Sequence, residues 1–166
     1  MRILGIDPGL ASTGWAITDG LSLIAHGIIS TKKWNDKEKT EEIADRDRID
    51  TISERLDDIV IEFKPQQISI EDFVYFGNRG KTSSNMSALI ENMRISFKQH
   101  NIPVTIYANG QWKRILLGNY RANKKQVEHY INRIMTIDFK DRGGHVYDSI
   151  GLALAKRKVL MKEGKC

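Results

Sequence analysis

The sequence predicts an α/β domain on one mixed sheet of five strands, three antiparallel and then two parallel, flanked by helices. Three observations predict it. Three short apolar segments at the start are joined by tight turns. Segments of helical spacing then alternate with short strands. The length, 166 residues, suits a single core over 1–166 with no staple.

The first strand reads from Arg2 to Ile6, the second from Gly14 to Thr18 and the third from Leu23 to Ser30. Pro8-Gly9 and Asp19-Gly20 supply the turns between them, because proline presets φ and glycine accepts positive φ. Ile49, Ile52, Leu56, Ile59, Val60 and Phe63 recur at 3.6-residue spacing, a helix that Lys64-Pro65 stops. Its start stays open, since Lys32 to Arg48 is charge-rich and reads as loop or exposed helix. Gln67 to Ile70 is the fourth strand, ending at Glu71. Ser83 or Ser84 is expected to cap the next helix, whose stripe is Met86, Leu89, Ile90, Met93 and Phe97. Val104 to Tyr107 follows as a strand, then helices near Gln111 to Leu117, Asn123 to Met135 and Val146 to Met161. A meander joined to strand–helix crossovers gives the mixed sheet.

Composition excludes more than it selects. The one cysteine, Cys166, allows no internal disulfide and fits a reducing cytosol. Asp7 interrupts the first apolar run, so it is not a signal peptide. No apolar stretch approaches the roughly 20 residues that span a bilayer. The net charge of +5 is too mild to identify a partner by itself.

The acids are more informative. Asp7 ends the first strand within the run Asp7-x-Gly9-x-x-x-x-Gly14, and Glu71 ends the fourth. Side chains on neighbouring strands approach within about 5 Å, and two carboxylates that close repel unless a cation neutralises them. Gly143-Gly144-His145-Val146-Tyr147-Asp148 sets His145 and Asp148 three apart, on one face of a helix's first turn. Taken singly, Asp7 also reads as a turn aspartate, His145 as a capping or surface histidine, and Asp148 as an acid favouring the helix dipole. Asp141 is an alternative ligand. Together they form a site whose oxygen-rich donors suit Mg²⁺ or Mn²⁺ over Zn²⁺. Two such ions, about 3.5–4 Å apart, activate a water and stabilise the leaving oxygen of a phosphodiester.

Asp7 with Gly9 and Gly14, Glu71 at a strand end, and the late pair His145 and Asp148 resemble the RuvC family of Holliday junction resolvases, over Ile3 to about Ala155. The short glycine run alone is shared with other ribonuclease H-like proteins and sugar-kinase-type ATPases; the ordered set of four is specific. The resemblance implies a ribonuclease H-like fold and a homodimer that cuts four-way DNA junctions with paired nicks, with Mg²⁺ as cofactor and Mn²⁺ substituting. It implies that Asp7 bridges two metals, Glu71 holds one and Asp148 closes the site. Many members carry aspartate where this chain has His145, and some bacterial members carry histidine. Histidine must be neutral to bind metal or accept a proton, so activity is expected to fall as pH drops through about 6.5.

The resemblance also implies two DNA-contacting regions. In the segment after Glu71, one aromatic among Phe73, Tyr75 and Phe76 would enter the junction, with Arg79 and Lys81 meeting phosphates. Farther on, Lys113, Lys124 and the adjacent Lys125 match the region of basic residues near the scissile phosphate. The matching family helix, here Ser83 to Gln99, lies in the dimer interface. A bacterial cytoplasm or a phage-infected host cytoplasm is the implied location, and a branch-migration motor stays undetermined. The alternatives are a ribonuclease H-like nuclease acting on flaps, forks or RNA·DNA hybrids, and a non-catalytic branched-DNA-binding protein. In ribonuclease H itself the glutamate would lie on the first helix, whereas Glu71 ends a strand. A sugar-kinase-type ATPase needs two related domains.

Overall fold

The computed structural model describes residues 1–31, 45–73, 80–137 and 144–165. The elements are β1 (Arg2–Asp7), β2 (Ser12–Asp19), β3 (Ser22–Ser30), α1 (Asp45–Phe63), β4 (Gln67–Glu71), α2 (Gly80–Gln99), β5 (Val104–Tyr107), α3 (Asn109–Leu117), α4 (Lys124–Ile134) and α5 (His145–Lys162). The sheet runs β3-β2-β1-β4-β5. The first three strands form the expected antiparallel meander, and β4 joins β1, and β5 joins β4, in parallel.

Strand alternation sorts the two faces. Leu4, Ile6, Ile68 and Ile70 face one layer, where they pack with Ile52 and Leu56 of α1 and Leu89, Met93 and Phe97 of α2. The residues between them face the other way. Ile3 packs on Ala153 and Leu160 of α5, and a Cβ on Gly5 would stand 1.9 Å from the Ser149 carbonyl oxygen and 2.9 Å from the Ala153 nitrogen. The absent side chain lets the α5 backbone lie directly on β1. Asp7 and Glu71 continue these alternations, so both fall on the α5 side.

Several boundaries differ from expectation. The α2 helix starts at Gly80, ahead of the expected caps Ser83 and Ser84. The α3 helix starts at Asn109 rather than Gln111, because the Gln111 side chain reaches back to accept the Ala108 N–H at 3.3 Å and so belongs to the first turn. In α4, Asn123 is the cap: its Oδ1 accepts the Gln126 N–H at 3.0 Å while Gln126 Oε1 accepts the Asn123 N–H at 2.9 Å. Lys64 ends α1 in a left-handed conformation, φ 48°, just before Pro65. Among the described residues no helix is long and apolar enough to cross a membrane. The charged segment 32–44, Asp141 and Cys166 lie outside the described residues.

Candidate active site

Three acids converge at the C-terminal rim of β1 and β4. The parallel register pairs Ile6 with Ile70, so the next residues along the two strands are Asp7 and Glu71. The first turn of α5 supplies His145 and Asp148. Gly144, at φ 73°, makes the bend that starts this helix at the rim. His145 Nδ1 stands 2.7 Å from Asp7 Oδ2, joining residues 138 apart in sequence. Asp7, Glu71 and Asp148 are all buried, at 9%, 9% and 6% exposure.

Such crowding is electrostatically expensive. Burial first, and the charge of Asp7 second, push the Glu71 carboxyl up to about 8 from 4.5; the Trp112 N–H offsets part of this. Burial and Asp7 likewise push Asp148 up to about 6, against the pull of Lys113, Lys124 and His145. Trp112 Nε1 donates to Glu71 Oε1 at 2.8 Å and fixes the direction of that carboxylate. Asp148 Oδ1 is buried with no hydrogen-bond partner, which is costly unless something outside the chain satisfies it. Among the described residues no group of three or more Asp, Glu, His or Cys side chains is arranged so that it could hold a metal ion as it stands. The orphaned oxygen, the raised carboxyls and the all-oxygen acid set nevertheless fit a hard divalent cation, which would remove the repulsion.

The cations expected from the sequence divide. Lys113 lies over the Trp112 ring, its Nζ 5.3 Å from the centroid, and both Lys113 and Lys124 act on Asp148. Lys124 also passes close over Gly144, where a Cβ would meet its Cδ at 2.8 Å. Lys125 instead lines a second groove with Asn119, His129 and Arg133. Phe73 borders the cleft that holds Asp7 and Glu71. Tyr75, Phe76, Arg79 and the side chain of Lys81 lie outside the described residues. Two residues of the site carried no assigned role in the sequence. Trp112 could have been found from the rule that a buried indole needs an acceptor; Tyr120, on the cleft wall, had no local signal.

The family model described as "Crossover junction endodeoxyribonuclease RuvC" matches residues 3–156. The RuvC of Borrelia turicatae is 31% identical over 166 residues, covering 93% of this chain and 94% of that protein. The RuvC of Fusobacterium nucleatum is 27% identical over 158 residues, covering 93% and 78%. Among solved structures, RuvC of Thermus thermophilus superposes with a TM-score of 0.78 at 20% identity, covering 99% and 98% of the two chains. The yeast mitochondrial Holliday junction resolvase Ydc2 gives 0.65 at 15%, covering 99% and 81%. At those identities the structural likeness establishes the shared fold.

Proposed function

The chain belongs to the RuvC family of crossover junction endodeoxyribonucleases, and from that premise we propose that it hydrolyses phosphodiester bonds in branched DNA, resolving four-way junctions by paired nicks. The observation that carries the site assignment is the meeting of Asp7, Glu71 and Asp148 at one rim, with Asp148 Oδ1 unsatisfied.

Asp7, Glu71, Asp148 and His145 are the residues that would hold Mg²⁺, or Mn²⁺ in its place. Bound there, a pair of such ions supplies the charge that neutralises the acids and the scissile phosphate and eases deprotonation of the attacking water. Asp7 is the hub, since its charge acts on both other acids and His145 lies against it. Trp112 holds Glu71 in one orientation. Lys113 and Lys124, beside Asp148, draw the phosphate backbone to the rim. Protons on Glu71 and Asp148 compete with metal, so activity falls as pH drops from about 8 toward 6. A homodimer places two such rims on one junction, one for each strand cut. A bacterial or phage-infected cytoplasm is the proposed setting.

The test offers the full chain a synthetic four-way junction, a flap, a linear duplex and an RNA·DNA hybrid, with Mg²⁺ or with chelator. Paired, religatable nicks in the four-way junction, lost with chelator and in Asp7→Asn, are expected. Equal cutting of flaps or hybrids would point to a broader nuclease. Junction binding without cutting in Mg²⁺ or Mn²⁺ would leave a binding protein and sink the enzymatic reading.

A further inference from the structure

The lining of the cleft beside the acids is chemically mixed. Asp7, Glu71 and Asp72 bring carboxylates to it, and Phe73, Tyr120 and the buried Met86 bring apolar surface. Its volume of about 540 Å³ falls within the roughly 300–1,000 Å³ typical of sites that enclose a small ligand group. An apolar wall does nothing for a phosphate, but it suits the face of a base.

Tyr120 is the unusual member of that wall. It is 60% exposed, yet it is closely seated. A Cβ on Gly110 would fall 2.1 Å from its Cε2 and 2.4 Å from its Cδ2 and Cζ, so the ring lies directly on the α3 backbone where only glycine leaves room. Gly110 comes three residues after Tyr107, the β5 residue paired with Glu71. The seat is therefore tied to the strand rim that carries the acids. An aromatic ring seated on glycine, 60% exposed and lining the cleft, is a stacking platform with little rotamer freedom left to lose.

The geometry points to Tyr120 as a nucleobase platform, stacking the base beside the scissile phosphate and so contributing to the choice of cleavage sequence. This rests on the junction-cutting reading above. Phe73, 37% exposed on the same cleft, borders the space the base would enter.

The experiment uses the full chain carrying Asp7→Asn, with four-way junctions holding 2-aminopurine at single positions around the crossover. Tyr120 and Tyr120→Phe are expected to quench the probe at one position next to the cut. Tyr120→Leu, which keeps an apolar cover on Gly110, should leave it bright and bind the junction roughly 5- to 150-fold more weakly, the range a stacked base contributes. In the cleavage-competent chain, Tyr120→Leu should narrow the spread of rates across junction sequences, while Tyr120→Phe preserves it. Unchanged quenching and sequence preference in a folded Tyr120→Leu protein would overturn the platform. No junction binding by the Asp7→Asn chain itself, with or without Tyr120, would instead overturn the reading of function on which it rests.

Discussion

The two faces of the sheet are built differently. On the α1/α2 side the packing is aliphatic and aromatic: Ile52, Leu56, Leu89, Met93 and Phe97 are fully buried against β1 and β4. Polar links between those helices lie at the edge, as where the Ser96 hydroxyl donates to Asp57. On the α5 side, backbone lies directly on backbone at Gly5, and the polar Glu71, Asp148 and Ser149 are buried. Oily packing tolerates side-chain exchange because attraction there is non-directional. Direct helix-on-strand contact does not, and it fixes the first turn of α5 against the strand ends. Placement is tight where acids must meet and looser where only volume must be filled.

The largest expected effect tests this contrast. Gly5→Ala adds one methyl 1.9 Å from the Ser149 oxygen, a backbone atom that cannot swing aside. It should cost at least about 3 kcal/mol, the upper end for overpacking, and displace the helix that carries His145 and Asp148. Leu89→Met on the other face conserves volume and should cost less than about 1.5 kcal/mol with cleavage intact. Denaturant midpoints measure both. If Gly5→Ala proves as mild as Leu89→Met, the two faces do not differ as described.

Sequence periodicity carried much of this architecture. Short apolar segments and the turn residues between them located the strands, and they delivered Asp7 and Glu71 to strand ends. The three-residue spacing placed His145 and Asp148 on one turn. What escaped depends on contacts distant in the chain. Trp112 meets Glu71 across 41 positions, and Tyr120 matters only because it folds back on Gly110. Lys124 and Lys125 are adjacent in sequence, but side chains diverge by about 100° per helical residue. Only packing decides that the charge of one acts on Asp148 while the other lines a separate groove.

The acids should also make the α5 side pH-sensitive in a way the oily side is not. Glu71 and Asp148 have folded pKa values raised to about 8 and about 6. A raised carboxyl contributes stability that is complete below its unfolded pKa and lost as pH climbs through the folded one. In chelator, the melting temperature should therefore fall between about pH 5 and 8.5. Glu71→Gln should flatten the upper part of that slope, and Mg²⁺ should raise the melting temperature most at the alkaline end. A metal-free melting temperature that climbs over this range would refute the crowded-acid account.

Trp112→Phe probes one support within the same face. The substitution keeps an aromatic ring but removes the N–H that Glu71 Oε1 accepts, a loss of about 1–3 kcal/mol when the carboxylate is charged. That bond lowers the Glu71 pKa, so its loss lets the pKa rise further. The acid limb of the rate–pH profile should move upward, and cleavage near neutrality should fall about tenfold for every pH unit the limb moves. An unmoved limb would make Trp112 a packing residue only.

The smallest effect concerns the rim's charge rather than its geometry. Lys124 acts on Asp148 and lies over Gly144, whereas Lys125 faces the groove with His129 and Arg133. If Lys124 neutralises a phosphate at the site, Lys124→Ala should lower the slope of log affinity against log salt by about 0.9, one released counterion. It should slow cleavage as well, because the same charge restrains the Asp148 pKa, and its loss would leave that acid more often protonated. Lys125→Ala should alter the salt slope without touching the rate at saturating junction. Equal rate losses in the two variants would show that adjacent lysines serve one diffuse field, and that the α5 face owes its chemistry to the acids and their supports alone.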